Sequence, residues 1–196
     1  LNYLAHFHLS YGNDDLLVGA LLGDFVKGPL TGERKKGLEQ GILLHRKIDA
    51  FTDQHSTQRN IQQLLDPRYR RFAGIMTDII FDHFLSLHWQ QFHPQSLHAF
   101  SRELFDLLSN NSHLPAAAQQ QADNLVHYNV LVNFQYWPTV DAALNRVSQR
   151  LQRDNPLGNA ADELNKHYGE LEQQFLAFYP ELQQRAQQIR AEFSAN

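Results

Sequence analysis

At 196 residues and 22.7 kDa the chain is most simply one domain, spanning 1–196 and large enough to bury a substantial core. A formal charge of −4 and a pI near 6.2 argue against a protein that wraps nucleic acid, and the absence of cysteine excludes disulfides and thiolate metal sites. No uninterrupted apolar stretch is long enough to span a bilayer, and the expected compartment is the cytoplasm. The opening LNYLAHFHLS has no cationic n-region, so no signal peptide is expected there; Leu1 stands where an initiator methionine is expected.

Helical periodicity dominates, and no segment alternates at period two. Asn13-Asp14-Asp15 is expected to cap a helix through LLVGALLGDFVKG, ended by Gly28-Pro29. Thr31-Gly32-Glu33 opens a second, running through GILLHRKIDAFTDQH, and Ser56 caps a short amphipathic piece stopped by Asp66-Pro67. From Tyr69 to about Trp89 the chain is apolar around most of its circumference, which predicts a central helix. Pro94 and Pro115 suit first helical turns, and Leu97–Leu108 and Leu125–Phe134 each give a stripe. Pro138 starts another helix, and two more follow Leu157 with a break at Tyr179-Pro180. The expected fold is an all-α, single-domain bundle of eight or nine helices.

Two histidine–aspartate clusters lie on these helices. His45, Asp49, Asp53 and His55 form the first, and Asp78, Asp82 and His83 the second. His45 and Asp49 are four residues apart, as are Asp78 and Asp82, so each pair shares a helix face. Ionised carboxylates among Ile, Leu and Phe carry a heavy desolvation cost unless a cation or donor compensates. Metal ligands must converge from several helices, and the candidates are His6, His8, Asp24, His45, Asp49, Asp53, His55, Asp78, Asp82 and His83. Mixed imidazole and carboxylate ligation suits Mn, Fe or Zn, and a metal-activated water suits phosphoester hydrolysis. His88, His93, His98, His113, His127 and His167 read as ordinary hydrogen-bonded histidines, and Asp14 as a helix cap. Motifs for P-loops, serine hydrolases, zincins and Glu-x-x-His di-iron bundles are missing.

Ten of the 17 Lys and Arg residues fall in the first 71 positions, and the remainder is acidic and Gln-rich. Arg34, Lys35, Lys36, Arg68, Arg70 and Arg71 lie near helix ends and should be exposed, where they suit an acidic partner or equally a solvated face.

Taken in order, NYLAHFHLS, GDFVKG, GILLHRKIDAFTDQH, DIIFDHFLSLHW and HYGELEQQFLAFYP resemble the bacterial acyl carrier protein phosphodiesterases, from Asn2 to about Pro180. That family is similar to HD-type metal phosphohydrolases but departs from their motif order, and here too the dipeptide is inverted, as Asp82-His83. The resemblance implies an HD-like bundle and points first to Asp24, His45, Asp82 and His83, with His6, Asp49 and Asp78 next. It implies hydrolysis of the phosphodiester joining 4′-phosphopantetheine to a serine of holo-acyl carrier protein, with Mn²⁺ the expected metal and Mg²⁺, Fe²⁺ or Zn²⁺ as others. Lys27 or Arg46 would neutralise developing charge, and the basic N-terminal third would dock a strongly acidic carrier. Two alternatives stay open: a phosphohydrolase for small phosphoesters, and a non-catalytic helical module binding an acidic partner.

Overall fold

The structure, a computed structural model, describes residues 2–111, 114–151 and 153–194. These form twelve α-helices and two 3-10 turns, with no strand among the described residues. Nine helices have eight residues or more: α1 (Tyr3–Ser10), α2 (Asp14–Leu22), α3 (Lys36–Gln54), α4 (Ser56–Leu64), α5 (Ala73–Leu87), α7 (Leu97–Ser109), α8 (Ala116–His127), α10 (Trp137–Arg150) and α12 (Tyr168–Ser194). The count rises above the expected eight or nine through three short helices, α6 (Trp89–Phe92), α9 (Val130–Asn133) and α11 (Ala160–Lys166). No described helix is long and apolar enough to cross a membrane.

Helix α5 is the centre. Met76, Ile79, Ile80, Phe81, Phe84 and Leu85 are all buried, and α1, α4, α10 and α12 pack around it. Apolar burial on most sides of one helix is what the near-continuous hydrophobic run requires. Helices α2 and α3 make the most extensive pairwise contact, because Gly19 and Gly41 face each other. A Cβ at Gly19 would lie 2.6 Å from the Gly41 Cα, so any larger residue forces the helices apart. This closeness brings the end of α2 against the middle of α3.

Several boundaries differ from the expected ones, each for a local reason. Asn13 caps α2 as expected, accepting from the Leu16 N–H at 3.0 Å, but the helix stops at Leu22 rather than Gly28. Two carbonyls beyond the stop, Val26 O and Gly28 O, are taken by the Arg46 guanidinium at 2.7 and 2.8 Å. Helix α3 starts at Lys36, not near Thr31, because Gly32 has φ +79° and the Glu39 carboxylate draws the Gly32 N–H back. His55, one residue before Ser56, caps α4 by accepting from the Thr57 N–H. The stripe from Leu125 to Phe134 is split between α8 and α9 at Asn129, whose φ is +45°. Most instructive is Pro180, where a break was expected and α12 continues. Phe175, Phe178, Tyr179 and Leu182 are all buried around it, and that packing outweighs a helix-interior proline cost of ~3 kcal/mol.

Candidate active site

Three side chains from two helices meet at one point. Among the described residues, His6, His45 and Asp49 are the one group of three or more His or acidic side chains whose ligand atoms all lie within 4.8 Å of one another. His6 comes from α1; His45 and Asp49 lie one turn apart on α3. The two imidazoles stack with centroids 3.7 Å apart and planes 8° from parallel. His6 Nε2 lies 3.0 Å from Asp49 Oδ1, and His45 Nε2 lies 3.2 Å from Asp49 Oδ2 and 3.6 Å from Asp24 Oδ1. Asp24 reaches the group from the turn after α2. Gly23 makes room for the His45 ring, with which a Cβ there would collide.

Proton bookkeeping makes this arrangement unusual. The Nδ1–H of His45 donates to Ala20 O at 2.8 Å, so a neutral ring presents a bare lone pair at Nε2. That lone pair faces oxygens of two carboxylates, which repel it unless a positive charge lies between. Both ring nitrogens of His6 are buried without a hydrogen-bond partner among the described residues; the short approach to Asp49 is off line for an N–H donor. Burial, followed by the nearby His45, lowers the His6 pKa to about 3, so this imidazole stays neutral. Burial alone would raise the Asp49 carboxyl, but contacts from His45 and His6 outweigh it and hold it well below the ordinary carboxylate range. Two nitrogens with free lone pairs beside two carboxylates fit a divalent cation of the borderline kind. The backbone bond to His45 Nδ1 is the sort of outer contact that fixes a ligating ring.

The group opens into a depression of about 500 Å³ lined by Asp24, Lys27, Arg46, Asp49 and Asp53 among others. Lys27 is exposed at its rim. Arg46 was expected to face the reacting group, but its two terminal nitrogens bond Val26 O and Gly28 O, so it fastens the turn that carries Asp24 and Lys27. Tyr3, which sequence reasoning passed over, lies near Asp24; burial and the Asp24 charge push its phenol far above the ordinary range. Its only sequence signal was its place one turn before His6.

The second histidine–aspartate cluster does not join the first. The His83 ring is saturated by neutral partners: its Nδ1 bonds Phe134 O at 2.7 Å and its Nε2 the Tyr168 hydroxyl at 2.9 Å. Asp82, fully buried, accepts from the Leu4 N–H at 2.8 Å and the Ala5 N–H at 3.1 Å, closing the N-terminus of α1. Burial raises its pKa to about 7 against the pull of those two N–H groups. Asp78, the same face one turn earlier, has its pKa raised by burial and by the charges of Asp49 and Asp53. Neither Asp78, Asp82 nor His83 belongs to the converging group. His8 is also satisfied, by the Tyr179 hydroxyl at 2.6 Å and Phe92 O at 3.2 Å. His55 caps α4 and lies 3.4 Å from Glu181. His88 pairs with Glu172 at 2.7 Å, His167 lies between Glu163 and Glu170, and His113 lies outside the described residues. Arg34, Lys35, Lys36, Arg68, Arg70 and Arg71 are all exposed, as their places near helix ends required.

A helical domain that gathers imidazoles and carboxylates at a polar, open depression is built as an enzyme rather than as a passive bundle. The family model for acyl carrier protein phosphodiesterase matches residues 1–182, and the chain belongs to that family. A protein named acyl carrier protein phosphodiesterase from Serratia proteamaculans (strain 568) is 34% identical over 95% of this chain and 97% of its own length. Proteins of the same name from Klebsiella pneumoniae (strain 342) and Escherichia coli O6:H1 are each 32% identical, over 95% of this chain and 98% and 97% of their own. No solved structure matches the chain.

Proposed function

We propose that the protein hydrolyses the phosphodiester between 4′-phosphopantetheine and a serine of holo-acyl carrier protein, releasing apo-carrier protein and 4′-phosphopantetheine. The names of its relatives support the substrate, and the His6–His45–Asp49 group with Asp24 supports the chemistry. One observation carries the reading: the His45 Nε2 lone pair is fixed toward two carboxylates, an arrangement that calls for a cation. His6, His45, Asp49 and Asp24 would hold a divalent metal, with Mn²⁺ our expectation. A metal there supplies positive charge to the phosphoryl group and makes a water more acidic.

The chain's own groups divide the remaining work. Asp24, exposed at the depression, has one oxygen toward His45 and would accept the proton of the attacking water through the other. Water oxygen bonds to phosphorus, the bond from phosphorus to the serine oxygen breaks, and that oxygen takes a proton from solvent. Lys27 at the rim offsets charge on the phosphoryl oxygens, while Arg46 keeps the 24–28 turn in register. The test is incubation of the protein and Mn²⁺ with holo-acyl carrier protein, reading the carrier's mass. Loss of the phosphopantetheine mass is expected; an unchanged carrier with turnover of a small phosphoester would favour a small-substrate phosphohydrolase instead.

A further inference from the structure

Helix α1 supplies His6, yet it has only eight residues, and a helix of that length is marginal by itself in water. Its placement must come from its neighbours. At its N-terminus the Asp82 carboxylate accepts from the Leu4 and Ala5 N–H groups. At the other end Leu9 O, one turn after His6 and on a buried residue, is among the carbonyls that a helix leaves without an internal partner. It accepts from Arg190 Nη1 at 3.1 Å. A negative group at the start and a positive group at the end both complement the helix dipole. Arg190 also stands at the corner where α1 gives way to α2, since Gly12 has φ +86° and a Cβ there would lie 4.0 Å from Arg190 Nη2.

Arg190 is itself held. It lies half-buried near the end of α12, one residue after the fully buried Ile189, and Ala186 one turn earlier is buried too. The same stretch of α12 is tied to α3: Glu192 lies 2.6 Å from Lys47 Nζ, and Phe193 O accepts from Gln40 Nε2 at 3.5 Å. Helix α3 carries His45 and Asp49. The last turns of α12 therefore grip both helices that build the group, and the stack of the His6 and His45 rings, 3.7 Å apart and 8° from parallel, depends on how those helices lie on each other.

We propose that Arg190 is a positioning residue: through Leu9 O it fixes α1 against α3 and so keeps His6 stacked on His45 beside Asp49. Its effect on cation binding rests on the metal group of the proposed function, while its effect on the rings does not. Without the guanidinium, Leu9 O loses its partner, the positive end of the dipole arrangement is gone, and α1 is held at its N-terminus alone. His6 has no hydrogen bond of its own to keep its ring in place, so it follows the helix. A ring displaced by even ~1 Å is enough to spoil a converging site.

The test compares the full chain with Arg190→Met, which keeps the aliphatic stem, with Arg190→Lys, which keeps the charge, and with His83→Ala, destabilised away from the stack. Two quantities are read, with circular dichroism as the folding check. The first is the set of histidine ring signals in proton–carbon NMR spectra of chelator-treated protein, where the close stack shifts the ring protons of His6 and His45. Arg190→Met should move both signals toward unstacked values, Arg190→Lys should move them much less, and His83→Ala should leave them in place. The second is Mn²⁺ affinity by calorimetry, which Arg190→Met should lower by roughly 10–100-fold, the scale of an outer-shell loss, with Arg190→Lys recovering most of it. Should Arg190→Met fail to fold, Arg190→Gln gives the same ordering with a smaller displacement. Ring signals unmoved in the folded Met or Gln variant, or moved equally in His83→Ala, overturn the proposal. So do moved rings with unchanged Mn²⁺ affinity, given a wild type that binds the ion. Moved rings in Arg190→Met with no Mn²⁺ binding by wild type uphold the positioning role and sink the proposed metal group.

Discussion

His45 on α3 and His83 on α5 are buried alike and each lies near an aspartate in sequence, yet they end in opposite situations. Each uses Nδ1 on a backbone carbonyl, Ala20 O for His45 and Phe134 O for His83. The difference is at Nε2. In His83 it meets a hydroxyl that can donate, and the ring is complete as a neutral imidazole. In His45 it meets carboxylate oxygens that cannot, and the contact is favourable only with a positive charge there, a proton or a metal ion. The partner of the second nitrogen, more than burial or local motif, distinguishes the two histidines.

The sharpest way to break this comparison is to remove each ring. His45→Ala or Asp49→Ala should abolish hydrolysis, a loss beyond the ~10–100-fold usual for outer-sphere partners, in protein that still folds, although His45→Ala also orphans Ala20 O. His83→Ala should do the reverse, lowering the melting temperature while folded protein keeps its kcat and its metal content. It leaves the buried Phe134 carbonyl unpaired, at about 1–3 kcal/mol, and takes a partner from the half-buried Tyr168 hydroxyl. Activity assays and thermal melts on both variants decide; an inactive but stable His83→Ala would put that histidine in the chemistry.

Asp82 extends the contrast. It closes the N-terminus of α1 two residues before His6, so Asp82→Ala should cost about 1–3 kcal/mol per orphaned N–H and displace His6. A drop of roughly 10–100-fold in kcat follows, the scale of an outer-shell loss, with Asp82→Asn recovering part of it through its remaining acceptor oxygen. Equal, complete loss in both variants would make Asp82 a direct ligand.

The buried histidines also set the acid limit of the fold. Burial lowers His6 to about 3 and His8 to about 4, and depresses His83 and His93 in the same sense. The unfolded chain binds these protons near pH 6.5 and the folded chain refuses them, so stability is full above that pH and falls as pH drops toward 4. Asp82, raised to about 7, has the opposite sign and takes one proton off the slope. Denaturant melts of chelator-treated protein should show stability falling between pH 6.5 and 4.5, at most ~1.4 kcal/mol per pH unit for each histidine involved. A flat profile would mean these rings are solvated. The smallest effect belongs to Arg46→Lys, which cannot bond Val26 O and Gly28 O together; about 0.5–1.5 kcal/mol and a modest rise in KM are expected.

Sequence alone carried the all-α class, the α2 cap at Asn13 and the pairing of His45 with Asp49, because these rest on spacing within a few residues. It also carried the chain to its family. Convergence was not legible in the same way. Asp82-His83 looked as chemical as His45-Asp49, and only the fold shows one facing backbone N–H groups and a tyrosine hydroxyl, the other a second imidazole. Tyr3 was invisible for a related reason: its place at the site depends on its proximity to Asp24, far away in the chain. Pro180 shows local chemistry overruled by packing.

If His6, His45, Asp49 and Asp24 hold a divalent cation and the Asp82-His83 pair does not, the two histidines differ in what their loss does to metal affinity. Mn²⁺ titration by calorimetry into chelator-treated wild type, His45→Ala and His83→Ala tests it without reference to substrate. Saturable binding is expected in wild type and in His83→Ala at comparable affinity, with loss of binding in His45→Ala. Binding retained in His45→Ala and lost in folded His83→Ala would contradict it.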